Sequence, residues 1–331
     1  MPARGNRPTK TAMIFPAGRC SIREAGAAVA KGYCVGVDLG GSKIAAGVVH
    51  PDGTIGNRRR IALPSAPRLV DELVDVIADL VSPDTAAVGV GMAGMVRWSK
   101  GEFVWGPHSP ITNVPVRDIL EERFSLPAVV DNDANAAGFG ETLLGAGRGF
   151  SHVLYVALGS GIGGALIVDG SVYRGRAFAG EIGHMTIDAN GPLCACGHRG
   201  CWETYVSGPV LDDEARRLGL GDSGADLSAA GFAGDRRAIE TLQRVGRSLG
   251  DGLSNLIAIL DPDLVVMGGA AAGAGDLLLD PARAAIASRL EGAEWRQPVQ
   301  LVPALFGPEA TMVGAALLAL QAEVGLKVAS G

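Results

Sequence analysis

The sequence predicts an α/β fold made of two related halves. Its first sign is an internal repeat. A strand, a glycine loop, a second strand and an Asp-Gly turn start at Tyr33 and again at Val153, about 120 residues apart. Its second sign is alternation, because short apolar runs of strand character are interleaved with stretches of helical spacing. Its third is size and composition. The chain has 331 residues, enough for about two domains of ~150 residues each. With 47% apolar, 19% charged and 5% aromatic residues and 49 glycines, it suits a packed core with many close backbone turns. A coiled coil, an aromatic-lined module or a globally disordered chain would read differently.

The first strand covers Tyr33 to Asp38 and ends in the turn Leu39 to Ser42. A second runs from Ile44 to Val49, and after Pro51 to Gly53 a third covers Ile55 to Ala62, since Asp-Gly between apolar runs favours a hairpin. Arg68 to Val81 is predicted helical because Leu69, Leu73, Val76, Ile77 and Leu80 share one face. Ala86 to Ala93 reads as a strand, Val116 to Phe124 as a helix, Ala128 to Val130 as a short strand, and Ala134 to Leu144 as a helix. In the second half, strands at Val153 to Leu158 and Ala165 to Val168 flank a glycine turn, and Asp169-Gly170 closes the hairpin. Helices are expected at about Val206 to Leu218, Ala238 to Leu260, Pro281 to Leu290 and Met312 to Glu323, and a buried strand, Leu264 to Met267, runs into Gly268 and Gly269. Residues 1–32 form an extension in which Ser21 to Ala30 can make a helix capped by Ser21.

Charge and cysteine placement narrow the function classes. A net charge of −6 argues against a general nucleic-acid binder, whose affinity comes from Lys and Arg on phosphates. Val153 to Val168 is shorter than the ~20 residues a membrane helix needs, and Gly159, Gly161, Gly163 and Gly164 interrupt it. The N-terminal stretch lacks the apolar core of a signal peptide, so a cytoplasmic protein is expected. Three of the five cysteines fall within eight residues, a spacing that reads as metal ligation, not as a disulfide framework.

Four segments carry chemistry. In Asp38 to Lys43, Gly40 and Gly41 let backbone N–H groups approach a phosphate, Ser42 and Lys43 add a hydroxyl and a cation, and Asp38 is placed to hold Mg²⁺ through water. An ordinary hairpin turn with a solvated Lys is the plain alternative, although Lys43 is one of only five lysines. Gly159, Ser160, Gly161, Gly163 and Gly164 form a second loop, between two strands, whereas a dinucleotide fingerprint needs a helix start there. As counterpart of the first loop it completes a two-sided phosphate clamp. Gly268 and Gly269 offer a third close approach, for an adenine or ribose, or else a simple packing contact.

Asp131, Asn132, Asp133 and Asn135 sit where a strand opens into a helix. Asx residues cap helices there, but four polar side chains in five positions exceed what a cap requires. An Asp at such an edge can take a proton from a substrate hydroxyl, and an adjacent Asn can orient the substrate ring. The sharpest signal is His184 followed by Cys194, Cys196 and Cys201, the N/S donor set that Zn²⁺ prefers. Four protein ligands imply a structural ion. Gly197 and Gly200 permit the tight turn, and His198 inside it is expected to be solvated. Glu181 and Glu203 flank this loop as candidate partners for sugar hydroxyls, or as plain surface charge.

Together these residues resemble the ROK family of repressors, open reading frames and sugar kinases, over about Val35 to Leu320. The most specific stretch is Glu181 to Ser207, and the nearest look is to the bacterial glucokinases of that family. The resemblance implies a two-domain actin-like ATPase (ribonuclease H-like) α/β fold with a structural zinc loop. It places residues 33–137, joined by a C-terminal helix at about 310–326, in a small domain, and 138–309 in a large one. ATP and hexose would lie between them. It implies Asp133 as the general base on the sugar 6-hydroxyl. It implies Gly94, Asn132, Asp133, Glu181, His184 and Glu203 as hexose contacts, with His184 also on zinc. Asp38, Gly40, Gly41, Ser42 and Lys43 would be the first phosphate loop, Gly159 to Gly164 the second, and Gly268 and Gly269 would touch adenosine. The expected cofactors are ATP, Mg²⁺ and structural Zn²⁺; the expected assembly is a homo-oligomer, dimer or tetramer, with no nucleic acid or membrane partner.

Met95 to Trp98 and Pro107 to Asn113 depart from the family pattern beside the sugar, so kinases of N-acetylmannosamine, N-acetylglucosamine, fructose or allose stay open, as does polyphosphate as donor. The rival from another class is a sugar-sensing ROK repressor. The 32 residues ahead of Tyr33 are too few for its winged helix-turn-helix, and the Lys43 loop is intact.

Overall fold

The computed structural model describes residues 32–107, 109–292 and 294–324. The extension and the helix expected from Ser21 to Ala30 lie outside the described residues. Two five-stranded sheets share one topology. The first is built from β1 (Tyr33–Leu39), β2 (Lys43–Val49), β3 (Ile55–Ala62), β4 (Thr85–Met92) and β7 (Ala128–Asn132), in the order β3-β2-β1-β4-β7. The second uses β8 (Val153–Leu158), β9 (Ile162–Val168), β10 (Ser171–Val172), β11 (Leu264–Gly268) and β12 (Gln300–Pro303), in the order β10-β9-β8-β11-β12. In each, an antiparallel hairpin leads and two parallel strands follow. The repeat in the sequence is therefore a repeat of topology. A separate small hairpin joins β5 (Met95–Arg97) to β6 (Glu102–Trp105).

Helices cover both outer faces and fill the space between the sheets. Along β1, Val35, Val37 and Leu39 face outward onto α1 (Leu69–Ala78) and α2 (Val116–Phe124), while Cys34 faces inward. Along β8, Leu154, Val156 and Leu158 face α4 (Gly208–Leu218), α5 (Gly224–Phe232), α6 (Arg236–Leu260) and α7 (Asp276–Arg289), while Val153 and Tyr155 face inward. Between the sheets lie α3 (Asp133–Leu143) and the C-terminal α8 (Ala310–Val324). Small residues make this layer close. A Cβ on Gly89 would lie 1.9 Å from the Ala315 carbonyl oxygen, and one on Gly314 would lie 1.7 Å from that of Ala136.

The sequence reading missed several elements. Helix α5 is poor in large apolar residues, and its marker is the capping box of Ser223 with Asp226. Pro281 does not start α7; it sits inside it, packed against Gly246 of α6, and the helix begins at Asp276. Strands β5, β6, β10 and β12 are two to four residues long, too short for periodicity to register. The expected boundary at residue 137 falls inside α3, which packs on both sheets.

Glu141 on α3 ties the two chain crossings between the sheets. Fully buried, it accepts hydrogen bonds from Ala146 N (2.9 Å), Leu305 N (3.0 Å) and Phe306 N (2.7 Å). Three donors on one carboxylate offset its desolvation. Glu141→Gln turns an amide NH₂ toward those donors and is expected to lower unfolding stability by about 2–4 kcal/mol. Chemical denaturation checks this, and a loss below about 0.5 kcal/mol would contradict it.

Candidate functional site

Within each sheet the parallel strands, β1, β4 and β7 in the first and β8 and β11 in the second, end on one side, where ligands of open α/β sheets gather. The glycine turns and the polar segment after β7 occupy these ends. The turn after β1 exposes Gly41 and Ser42, whose N–H groups have no partner among the described residues. At its base Lys43 Nζ lies 3.0 Å from Asp38 Oδ2, and burial raises the Asp38 pKa against the pull of that ammonium.

The second loop is shorter than expected. Leu158 pairs with Ile162, so the turn is Gly159 to Gly161, and Gly163 and Gly164 are strand residues. Gly163 makes room for Ala134 at the start of α3, and Gly164 makes room for Ile182. The N–H groups of Ser160 and Gly161 remain without partners among the described residues. A Cβ on Gly161 would meet Glu203 Oε2 at 2.5 Å, so this turn touches the carboxylate of the cysteine-rich loop. Gly268 is buried over the Tyr155 hydroxyl, which a Cβ would approach to 2.2 Å; Gly269 is exposed at the end of β11. Packing therefore accounts for Gly268; Gly269, at φ +82° with a Cβ position 2.3 Å from the Leu158 carbonyl oxygen, is also required as glycine but is exposed.

The polar segment after β7 separates into distinct jobs. Asn132 is the N-cap of α3: its Oδ1 accepts from Ala134 N (2.9 Å) and Asn135 N (3.1 Å). Its Nδ2 donates to the Gly94 carbonyl at 3.0 Å, leaving one amide proton for another partner. Gly94 holds φ +136° beside the Trp105 carbonyl, which excludes a side chain. Asp131 is saturated by four donors, namely Asn132 N, Asn135 Nδ2 and two nitrogens of Arg174. Among the described residues Asp133 accepts only from Ala134 N, at 2.9 Å, and it keeps a partial opening. Its pKa is pushed up to about 6, first by burial and then by the charges of Asp38 and Glu181, against the Ala134 N–H. Of the two carboxylates, Asp133 is the one free to take a proton.

The cysteine-rich loop brings four donors together. One ligand atom each from His184, Cys194, Cys196 and Cys201 lies within 4.8 Å of the others. Cys196 Sγ is 3.5 Å from Cys201 Sγ, and Cys194 Sγ is 3.7 Å from His184 Nδ1. Metal–sulfur bonds of about 2.3 Å in a tetrahedron put donors about 3.8 Å apart, so the set fits a zinc ion. Gly200 holds φ +70° where a Cβ would lie 1.6 Å from the Asp188 carbonyl oxygen. His198 is exposed, as expected. Trp202 anchors the loop in the apolar cluster between β8 and the helices on that sheet's outer face, donating to Ser248 O at 2.9 Å. Glu203 Oε1 is 3.5 Å from His184 Nδ1 and 3.0 Å from Cys194 Sγ, and burial raises the Glu181 pKa. Arg174 and its contact with Trp98 were not foreseen; their partners are 43 or more residues away in the sequence.

The chain is similar to several known proteins. The glucokinase of Streptomyces coelicolor is 36% identical over 312 residues, covering 87% of this chain and 98% of that protein. A Streptomyces griseus ROK family glucokinase, solved in complex with glucose and AMPPNP, matches with a TM-score of 0.80 and 38% identity, covering 88% of this chain and all of that one. The xylose repressor of Bacillus subtilis is 30% identical, over 86% of this chain and 76% of its own length. The ROK family model matches residues 34–322. This chain belongs to the ROK family.

Proposed function

We propose that this chain is an ATP-dependent hexose kinase that converts glucose and ATP to glucose 6-phosphate and ADP, with Asp133 as general base. The observation that carries this reading is the contrast between Asp131, whose lone pairs are occupied, and Asp133, whose carboxylate is open and lies near Asp38 and Glu181. The likeness to glucokinases supports the donor and the acceptor class.

In this reading the sheets belong to two domains, and the substrates lie between their strand ends. Free N–H groups of Gly41, Ser42, Ser160 and Gly161 hold the donor phosphates, with Lys43 adding a cation. Asp38 would hold Mg²⁺, which would neutralise charge on the phosphate tail. Glu181, Glu203, His184, Gly94 and the spare Asn132 proton bind hexose hydroxyls and aim the 6-oxygen at the terminal phosphoryl group. Asp133 takes the hydroxyl proton as the new P–O bond forms. Zinc on His184, Cys194, Cys196 and Cys201 would fix the loop that carries Glu203.

An ADP-release assay across a hexose panel, with ATP and with polyphosphate, tests the reading. Glucose with ATP is expected to give the highest kcat/KM. Turnover of another hexose alone would reassign the acceptor, and no turnover would contradict the kinase. The pH profile is a second test. The base acts only when ionised, so kcat/KM for hexose should be flat above pH 7 and fall tenfold per unit below about pH 6. An unchanged kcat/KM down to pH 5 would contradict an Asp133 base.

A further inference from the structure

The turn around Asp133 and the segment leading to Glu181 come from different sheets, and one side chain joins them. Arg174 follows β10. Its Nε lies 2.7 Å and a terminal nitrogen 2.6 Å from Asp131 Oδ2. The pair is nearly sealed, with side chains 15% and 3% exposed. The other terminal nitrogen donates to Val172 O at 3.2 Å, and the guanidinium sits 4.7 Å from the Trp98 ring centre.

Both ends of the residue act. The Arg174 carbonyl accepts from Ala177 N (2.9 Å) and Ala179 N (3.3 Å), closing the turn that runs into Gly180 and Glu181. Through its side chain the restraint passes to Asp131, whose Oδ1 accepts from Asn132 N (2.8 Å) and Asn135 Nδ2 (3.0 Å). Asn135 is buried and its Oδ1 has no partner among the described residues, where Asp131 is the group that orients that amide. Asn132 in turn caps the helix that begins at Asp133.

We propose that Arg174 is a positioning residue for phosphoryl transfer, holding the Asp133 turn and the Glu181 segment in one register so that both carboxylates face the same acceptor. This rests on the kinase reading above. Lysine cannot replace it, because a single ammonium provides neither the paired contact nor the flat face over Trp98.

The test compares wild type, Arg174→Met, Arg174→Lys and Asp131→Asn/Arg174→Met as full chains. Hexose and ATP constants are measured separately and corrected for folded fraction. Arg174→Met should lower kcat/KM for hexose about 100-fold, the cost of a small misplacement of reacting groups, with KM for ATP within about twofold. Arg174→Lys should recover at most about tenfold. The double variant should recover part of the loss, since no unpaired buried carboxylate remains. The assignment is overturned if folded Arg174→Met keeps kcat/KM for hexose within about threefold of wild type, as a purely stabilising role requires after that correction, or if KM for ATP rises as steeply as KM for hexose, as a general distortion of the fold requires. If Arg174→Met does not fold, Arg174→Lys with wild-type hexose constants overturns it equally. A wild-type chain that phosphorylates no hexose overturns the kinase reading, and this assignment with it.

Discussion

Asp133→Asn is expected to lower kcat by about 10²–10⁴-fold while raising the thermal midpoint of the unliganded protein. The first effect follows from removing the only open carboxylate at the start of α3. Asp131 cannot take over, because four donors occupy it and Arg174 pairs with it. The second effect follows from the same geometry. Folding lifts the Asp133 pKa from 3.8 to about 6, so between those values the folded chain binds more protons than the unfolded one. Stability therefore falls as pH rises through that window, and the cost persists above it. Partial opening to water limits the cost to about 2 kcal/mol at neutral pH. Asparagine removes it, which corresponds to a rise of a few degrees. Retention of more than about a tenth of kcat, a loss under ~1.4 kcal/mol, would remove Asp133 from the base role. A lowered midpoint would contradict the electrostatic account.

Loss of the cysteine-rich centre should be the larger structural effect. Cys201→Ala takes away a fully buried donor from the four-ligand set. On the zinc reading, the remaining groups then crowd without a cation, and the loop from Met185 to Trp202 loses the cross-link that the ion would provide. The wild-type chain is expected to hold one zinc per molecule by native mass spectrometry. Cys201→Ala, or exhaustive chelation, should remove it, lower the thermal midpoint by roughly 10 °C or more, and abolish turnover. A metal-free wild-type preparation with full activity and unchanged midpoint would show that these are only buried thiols.

Much of this was legible because local chemistry and tertiary placement agree. The Asp52-Gly53 and Asp169-Gly170 turns mark both hairpins, and β3 spans the residues expected for it. The duplicated order of strand and glycine loop became two sheets of one topology. Spacing alone brought His184, Cys194, Cys196 and Cys201 forward as a candidate donor set, and their ligand atoms lie within 4.8 Å of one another. What stayed hidden depends on distance. Nothing near Arg174 in the sequence announces a partner at Asp131, and Glu141 reads as an ordinary helical glutamate until Leu305 and Phe306 return to it. The second glycine run misled for a different reason. Gly163 and Gly164 look like loop residues, yet they are bare because Ala134 and Ile182 occupy the space a side chain would need. Asn132 held both meanings, since the same amide that caps α3 also reaches Gly94.

The most direct test is a crystal structure of the chain with a hexose and a non-hydrolysable ATP analogue. An Asp133 carboxylate oxygen should lie about 2.6–3.2 Å from the hydroxyl oxygen that faces the terminal phosphate, with that phosphate against the Gly40–Lys43 and Gly159–Gly161 turns. A hexose held elsewhere, or one whose reactive hydroxyl meets a different carboxylate while Asp133 points away, would contradict the account.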